Sequence, residues 1–385
     1  MVGGVLKTVV FVHMTGSKTN EGTGGGLISQ EVLAKSLIER GVQVFAVTNP
    51  RDNFGFKFLG ENRLVAKFSI SSSPLMNLFL FNGRELKDEL RHVVNRLPND
   101  ALYVIVDPFP PDIYAAKFLN KLDRKVIVNM YHITPSPLFH PIKRGFIRAI
   151  AAWFISFNAL IFIKTTTIPV FLNNKRIAKE LGWNLSKNLM EMPLSLQEYN
   201  KDNIDISKRS VCFVGRLAKN KGILDLIRSW RIIVRQFPDA ILYIIGSDRG
   251  NGIYQKKINK YGLQGSIKIT GFLDEEQKRK IMKRCSIFAF PSYEEGWALA
   301  VMEAIDMGLL PVIYDLPAYD YICNERVKTK VGDINKFADT VMYFLSHCDE
   351  RSFIVKKIQG CISKFTPEFV TQIWITQVQE FFASF

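Results

Sequence analysis

Cysteine is sparse in this chain of 385 residues, and the spacing that would make it a metal ligand is absent. The five cysteines, Cys212, Cys285, Cys323, Cys348 and Cys361, include no Cys-x-x-Cys pair, so no zinc site is expected and the thiols are predicted to be reduced. There is also no Asp-x-Asp triplet, which would supply carboxylate ligands to Mg²⁺ or Mn²⁺. The sequence therefore predicts no bound metal.

Acidic residues are fewer than basic residues. The chain has 51 Lys and Arg residues against 36 Asp and Glu, a net charge of +15, which favours nucleic acid, an acidic membrane face or phosphorylated small molecules as surroundings. No zinc-finger spacing, aromatic RNP-type strand or basic leucine zipper is present, so we expect no nucleic-acid partner. With 47% hydrophobic and 23% charged residues, the composition excludes a disordered chain and a polytopic membrane protein.

No apolar run reaches the length that spans a bilayer. The best candidate, residues 149–163, falls short of the ~18–20 residues required and belongs to a segment, 139–164, that has basic residues at both ends. Two interpretations stay open for this segment: a buried helix, or a helix that binds an anionic membrane surface. Because residues 1–14 lack the cleavage pattern of a signal peptide, we expect a cytoplasmic protein, peripheral on the cytosolic membrane face under the second interpretation.

Alternating strand and helix patterns run along the chain. Residues 6–13 form an apolar run, a glycine-rich loop follows at 15–26, and residues 27–40 have the apolar spacing of a helix. Repetition of this strand-loop-helix unit predicts an α/β fold with a parallel sheet and helices on both faces.

A change in composition divides the chain in two. Residues 193–210 are polar, as a surface linker would be, and a second alternating series begins after them. We therefore predict two Rossmann-like, doubly wound domains, 1–195 and 196–365, that face a central cleft. The remaining segment, 366–385, has the spacing of an amphipathic helix.

The stretch 290–315 contains paired acids beside a helix start. A strand ends at Pro291, a short loop carries Glu295, and a helix begins near Ala298. A helix start exposes unpaired N–H groups that bind anions such as a diphosphate. Glu303 follows Glu295 by eight residues, and carboxylates at that spacing can both accept hydrogen bonds from sugar or ribose hydroxyls. The alternative is that the loop acids Glu294 and Glu295 only cap the helix.

Basic residues follow an earlier strand in the same half. The stretch 213–222 reads FVGRLAKNKG and includes Gly215, Arg216 and Lys221. Glycine allows close backbone approach, and Arg and Lys supply positive charge for phosphate oxygens. Solvated surface charge is the alternative, but two cations at the carboxyl end of a strand beside the acids favour a diphosphate clamp.

GRLAKNKG followed by PSYEEGWALAVMEA resembles the G-R-x4-K-G and E-x7-E signature of the family 4 retaining glycosyltransferases, which have the GT-B fold. The resemblance is specific over about 211–321 and looser over the first 135 residues. It implies that Arg216 and Lys221 hold a donor diphosphate, that Glu303 holds the ribose, and that Glu295 acts at the transferred sugar. The other donor-site residues that it implies are Gly215, Gly246, Gly296, Trp297, Ala298 and Leu299.

The resemblance also extends to the first half. His132 matches a histidine that lines the family's active site, and Gly24, Gly25 and Gly26 match a glycine-rich loop beside the donor phosphates and the acceptor. The segment 366–385 resembles the terminal helix that packs back on the N-terminal domain. One departure is Gly296-Trp297-Ala298, where the family usually has Gly-Phe-Gly, and it leaves the choice of sugar open.

The function that the resemblance implies is metal-independent, retaining transfer of a hexose-type sugar. The donor would be a nucleotide diphosphate sugar, no further cofactor is expected, and the acceptor would be a glycan hydroxyl. Basic charge favours a lipid-linked or membrane-associated acceptor. A nucleotide-sugar epimerase of the same architecture is the enzymatic alternative, and a non-catalytic nucleic-acid or membrane-binding protein is the alternative from another class.

Asp107 and Asp112 are further candidates for carboxylates on the acceptor side.

Overall fold

The chain forms two compact units in a computed structural model. The first contains the described residues up to Leu194 and the C-terminal segment from Phe365, and the second contains Arg209 to Lys364. The boundaries expected from the sequence lie at 195/196 and 365/366. The structure describes residues 6–14, 25–49, 52, 55–68, 83–107, 109–130, 157–159, 161–162, 165–172, 189–191, 194, 209–248 and 252–384.

The first unit contains a seven-stranded sheet in which every neighbouring pair is parallel. Its strands are β1 (Thr8–His13), β2 (Gln43–Thr48), β3 (Arg63–Val65), β4 (Leu102–Ile105), β5 (Lys125–Met130), β6 (Val170–Leu172) and β7 (Leu189–Glu191). Its helices are α1 (Gly25–Glu39), α2 (Gly83–Val94), α3 (Pro110–Lys121) and the C-terminal α10 (Pro367–Ala383). All six residues of β1 are buried, as expected for a central strand covered on both faces.

The second unit contains a six-stranded parallel sheet. Its strands are β8 (Ser210–Val214), β9 (Ile241–Ile245), β10 (Ile267–Gly271), β11 (Ile287–Phe290), β12 (Leu310–Tyr314) and β13 (Lys328–Thr329). Its helices are α4 (Ile223–Gln236), α5 (Ile253–Lys260), α6 (Glu275–Met282), α7 (Leu299–Asp306), α8 (Ile334–Ser346) and α9 (Cys348–Ile362).

Both sheets have the strand order of a doubly wound fold. The first runs β3-β2-β1-β4-β5-β6-β7 and the second β10-β9-β8-β11-β12-β13, so the direction of winding reverses between β1 and β4 and between β8 and β11. Ligands of such sheets bind at the carboxyl ends of the strands, where the order reverses. The prediction of two Rossmann-like parallel-sheet domains is confirmed, and the central cleft between them stays a prediction.

The C-terminal helix α10 packs on α1 within the first unit. Trp374 is completely buried, and the Arg40 guanidinium donates to the carbonyl oxygen of Glu368 at 3.0 Å. Thr366 begins the helix, its hydroxyl accepting from the Phe369 amide at 3.4 Å. The last helix in the sequence is therefore part of the first unit's fold.

Two cysteines differ from the expectation of reduced thiols. Cys323 and Cys361 form a disulfide between residues 38 apart in sequence, whereas Cys212, Cys285 and Cys348 are free. Pairing depends on proximity in the fold, and the two Cα atoms lie 6.6 Å apart, within the range that a disulfide spans. The prediction that all five thiols are reduced was wrong for this pair.

The segment 139–164 lies largely outside the described residues. Of its described part, Ala159 and Phe162 are buried, whereas Phe157 and Ile161 are 41% and 48% exposed. Both interpretations of the segment stay predictions. None of the helices in the described part of the chain is long and apolar enough to cross a membrane.

Candidate functional site

Two loops meet at the carboxyl end of the second sheet. They follow β8 and β11, which pair directly through Val211 and Ile287. The Tyr293 amide donates to the carbonyl oxygen of Asn220 at 2.8 Å, and the Ser292 hydroxyl donates to the same oxygen at 3.2 Å. Backbone contacts therefore hold the basic loop and the acidic loop side by side at the reversal point of the sheet.

Two glycines make this close packing possible. A Cβ atom at Gly222 would lie 1.8 Å from the carbonyl oxygen of Pro291, and one at Gly246 would lie 1.9 Å from that of Gly215. Gly222 also has φ +69°, a conformation in which L side chains are strained. Gly222 and Gly246 thus have a packing reason to be glycine that does not require a bound donor, and Gly215 contributes the carbonyl oxygen that Gly246 approaches.

Lys221 and Glu295, both predicted for the site, form an ion pair. Their side chains are 15% and 8% exposed, so the pair is largely shielded from solvent. The Lys221 ammonium also lies 5.6 Å from the centroid of the Phe290 ring. A cation from one loop and an acid from the other are therefore brought together, as the sequence motifs indicate.

Glu303 lies on α7 and pairs with a lysine that the sequence did not reveal. Its carboxylate lies 3.2 Å from the Lys278 ammonium of α6, which also contacts Glu275 at 2.8 Å. Burial alone would lower the pKa of Lys278, but the carboxylates of Glu303 and Glu275 outweigh burial and raise it. Lys278 was missed because the charged run EEQKRK of α6 has the composition of a solvated helix face.

The start of α7 has an unusual backbone. Ala298 precedes the helix in a left-handed conformation, φ 53° and ψ 62°, which is costly for a residue with a Cβ. Trp297 is buried, its ring centroid lies 5.4 Å from that of Tyr321, and its carbonyl oxygen accepts from the Tyr321 hydroxyl at 3.3 Å. Gly296 and Trp297 thus lead into the helix start, where Leu299 is the first residue.

The remaining predicted residues have varied outcomes. Arg216 is exposed in the loop after β8, at the same sheet edge as Lys221. Gly24 and His132 lie outside the described residues. Gly25 and Gly26 were expected in a loop, but α1 begins at Gly25, so both belong to its first turn.

A polar cluster at the reversal point of the first sheet joins the candidates Asp107 and Asp112 to His13 and Asp52, which the sequence analysis missed. His13 ends β1; its Nδ1 lies 2.7 Å from Asp52 and its Nε2 3.2 Å from Asp107, which follows β4. Asp112 accepts from the Met14 amide at 2.6 Å. The signal was a histidine at the end of an otherwise apolar strand, which commonly has only a structural role.

The protonation of His13 follows from these contacts. Burial alone would lower the pKa of His13, but hydrogen bonds to Asp107 and Asp52 outweigh burial and raise it to about 10. The Asp107 side chain is 23% exposed, whereas that of Asp52 is fully buried. A cationic histidine therefore connects a buried carboxylate to one that reaches the surface.

Known proteins match this chain in sequence and in fold. Residues 197–359 match the family model described as Glycosyl transferases group 1. A GDP-mannose:cellobiosyl-diphosphopolyprenol alpha-mannosyltransferase of Xanthomonas oryzae pv. oryzae is 25% identical over 166 residues, 42% of this chain and 44% of that protein. The chain thus spans less than half the length of this relative.

Solved structures match nearly the whole chain at low identity. A sucrose-phosphate synthase from Thermosynechococcus elongatus is 13% identical with a TM-score of 0.76, covering 98% of this chain and 100% of that one. The Anabaena HepE protein, solved with UDP and glucose, is 16% identical with a TM-score of 0.72 over 98% of this chain and 100% of its own. These likenesses confirm the predicted GT-B fold. The sequence match to the group 1 glycosyl transferases covers residues 197–359, and the likeness over the whole chain is one of fold.

Proposed function

We propose that the protein is a glycosyltransferase whose donor, a nucleotide diphosphate sugar, binds at the carboxyl end of the second sheet. The observation that carries this proposal is the shielded Lys221–Glu295 ion pair between the loops after β8 and β11. In this pair the two charges neutralise each other. A bound diphosphate would take Lys221 as its counterion and leave the Glu295 carboxylate for the hydroxyls of the sugar.

Three sources of positive potential would hold the diphosphate. Lys221 and Arg216 follow β8, and the first amides of α7, from Leu299 onward, lie after the acidic loop. Such preorganised groups stabilise the charge that develops on the leaving nucleotide. Because they supply the charge that a divalent ion would supply, we propose that transfer is metal-independent and needs no further cofactor.

Glu303 is proposed to bind the ribose hydroxyls. Its side chain is 11% exposed and its contact with Lys278 fixes the carboxylate in orientation. An ionised carboxylate accepts hydrogen bonds from two vicinal hydroxyls. Lys278 therefore acts as a positioning residue for the donor site.

The finer description of the reaction is also a proposal. We infer transfer of a hexose-type sugar with retention, in which Glu295 and His132 act near the sugar while the acceptor hydroxyl enters on the same face. The relative from Xanthomonas is named for a diphosphopolyprenol acceptor, and this chain has a net charge of +15. Both favour a lipid-linked glycan acceptor and a peripheral position on the cytosolic membrane face.

Binding of donor is tested by thermal shift with nucleoside diphosphates and their sugars. A ligand at 100 times its Kd stabilises the native state by about 2.7 kcal/mol, so one nucleotide should raise the Tm of the wild type clearly. Lys221→Ala should lose most of this rise. The matched control is Lys280→Ala, because Lys280 is an exposed lysine of the same unit, and it should respond as the wild type does.

Transfer is tested by product analysis with the responding donor. Glu303→Gln should lower the transfer rate at least about 100-fold without unfolding the protein, because an amide cannot replace the ionised acceptor. Full activity in this variant would contradict the assignment of Glu303. Conversion of the donor to its epimer without any acceptor would instead identify an epimerase.

A further inference from the structure

A second basic site lies on the surface of the second unit. A cavity of about 510 Å³ is lined by Arg228, Arg231 and Arg235 of α4, by Tyr261 after α5, and by residues 332–335 at the start of α8. We call it the α4 pocket. None of these residues belongs to the donor site described above.

The three arginines form one row along α4. Spacings of three and four residues place them on the same helix face, over about 10 Å at 1.5 Å per residue. Arg228 pairs with Asp225 at 3.2 Å, whereas Arg231 and Arg235 form no ion pair with any carboxylate in the described part of the chain. Like charges stacked in this way repel each other, and an anion between them would relieve the repulsion.

Neighbouring groups add to the positive potential. The guanidinium of Arg231 lies 5.1 Å from the centroid of the Tyr261 ring, and the Lys257 ammonium lies 4.7 Å from it. A hydrogen bond from Lys257, with a smaller contribution from Arg228, lowers the pKa of the Tyr261 hydroxyl. The pocket thus stabilises an added negative charge.

The start of α8 completes one wall. The positive end of its helix dipole favours anions. Asp333 is the acidic residue among those that line the pocket, and its carboxylate is engaged in capping, accepting from the Lys336 amide at 2.9 Å. Cations therefore outnumber carboxylates in the lining.

The far end of the α4 pocket lies away from the donor loops, whereas its near end is linked to the acidic loop through Asp225, which pairs with Arg228 and accepts from the Tyr293 hydroxyl. Helix α4 begins at Ile223, two residues after Lys221, and Arg235 lies twelve residues further on, about 18 Å along the helix axis. We propose that the α4 pocket binds a second, phosphate-bearing ligand, with Arg231 and Arg235 holding its oxygens. Arginine suits this role because its planar fork binds phosphate in a bidentate manner.

The proposal is tested by calorimetric titration with inorganic pyrophosphate. Lys221→Ala serves as the background, because it weakens binding at the donor site. Adding Arg231→Gln and Arg235→Gln to this background gives the α4-pocket variant. These two changes should weaken the remaining binding at least about tenfold, as expected for the loss of charge-assisted hydrogen bonds. The matched control adds Lys280→Gln and Arg284→Gln, both exposed in the same unit, and should leave the affinity unchanged.

In this design, the proposal for the donor site and the proposal for the α4 pocket can be contradicted separately. Equal affinity of the α4-pocket variant and its background would overturn the pocket, whatever Lys221→Ala does to nucleotide binding. Circular dichroism of the variant shows that it is folded, and Arg231→Lys with Arg235→Lys should retain part of the affinity because the charge remains. The proposal would also be overturned if the variant with Arg231→Lys and Arg235→Lys and the matched control both lost all binding of pyrophosphate.

Sedimentation with vesicles identifies the source of the phosphate. Vesicles of phosphatidylcholine with phosphatidic acid should bind the Lys221→Ala background more strongly than the α4-pocket variant if the ligand is a lipid headgroup. Equal vesicle binding by both, together with the tenfold difference for pyrophosphate, would assign the pocket to a soluble phosphate ester. Vesicles of phosphatidylcholine alone control for uncharged surface contact.

Discussion

At the scale of the residue, Ala298 is the clearest point of backbone strain in the candidate donor site. Its left-handed conformation is the one that glycine adopts without cost, and the resembled family usually has glycine there. We expect Ala298→Gly to raise the free energy of unfolding by about 1 kcal/mol. Ala300→Gly, two residues into α7, should lower it by about 0.5–1 kcal/mol. Denaturant titration measures the free energy of unfolding of both variants. A lower value than that of the wild type in both would show that Ala298 is unstrained.

His13 gives a second prediction at this scale, on pH dependence. The pKa of His13 rises from 6.5 to about 10 on folding. Its contribution to the stability of the folded state is therefore fully present below pH 6.5 and is lost as the pH rises through about 10. The loss should be on the order of several kcal/mol.

The measurement is the free energy of unfolding between pH 6 and pH 10. The wild type should lose more stability over this window than His13→Gln, whose side chain does not titrate. Other groups titrate in both proteins, so only the difference between the two slopes reports on His13. Parallel slopes would mean that His13 is neutral in the folded protein.

At the scale of the element, α10 anchors the end of the chain in the first unit. Trp374 is fully buried and Phe369 is 49% exposed on the same helix. Trp374→Ala should therefore destabilise the first unit by about 3–5 kcal/mol, whereas Phe369→Ala should change its stability by about 0.5 kcal/mol or less. Chemical denaturation followed by circular dichroism distinguishes the two, and equal effects would contradict the packing of α10.

Elements were easier to predict than contacts between them. The apolar run 6–13 corresponds to β1, and the helix expected at 27–40 is α1, which begins at Gly25. Lys278 could not be found in this way, because its partner Glu303 is 25 residues away in sequence. Only the fold of the second unit brings these two side chains together. His13, Asp52 and Asp107 likewise come from the ends of different segments, so their meeting depends on the order of the strands.

At the scale of the whole molecule, the disulfide bears on where the chain resides. Disulfides persist in oxidising surroundings, whereas the sequence predicts a cytoplasmic protein. Thiol titration in denaturant without reductant should give three free thiols, Cys212, Cys285 and Cys348, and five after reduction. Reduction should lower stability by at most about 4 kcal/mol, the chain-entropy limit for a loop of this length. Five thiols without reductant would contradict the bond.

The same bond turns residues 323–361 into a covalent ring that contains β13, α8 and most of α9. A protease that cuts once inside the ring, for instance at the exposed turn around Lys330 and Val331, would leave both pieces attached to each other. The nicked chain should migrate as one species on a denaturing gel until a thiol reagent is added, and then separate into two.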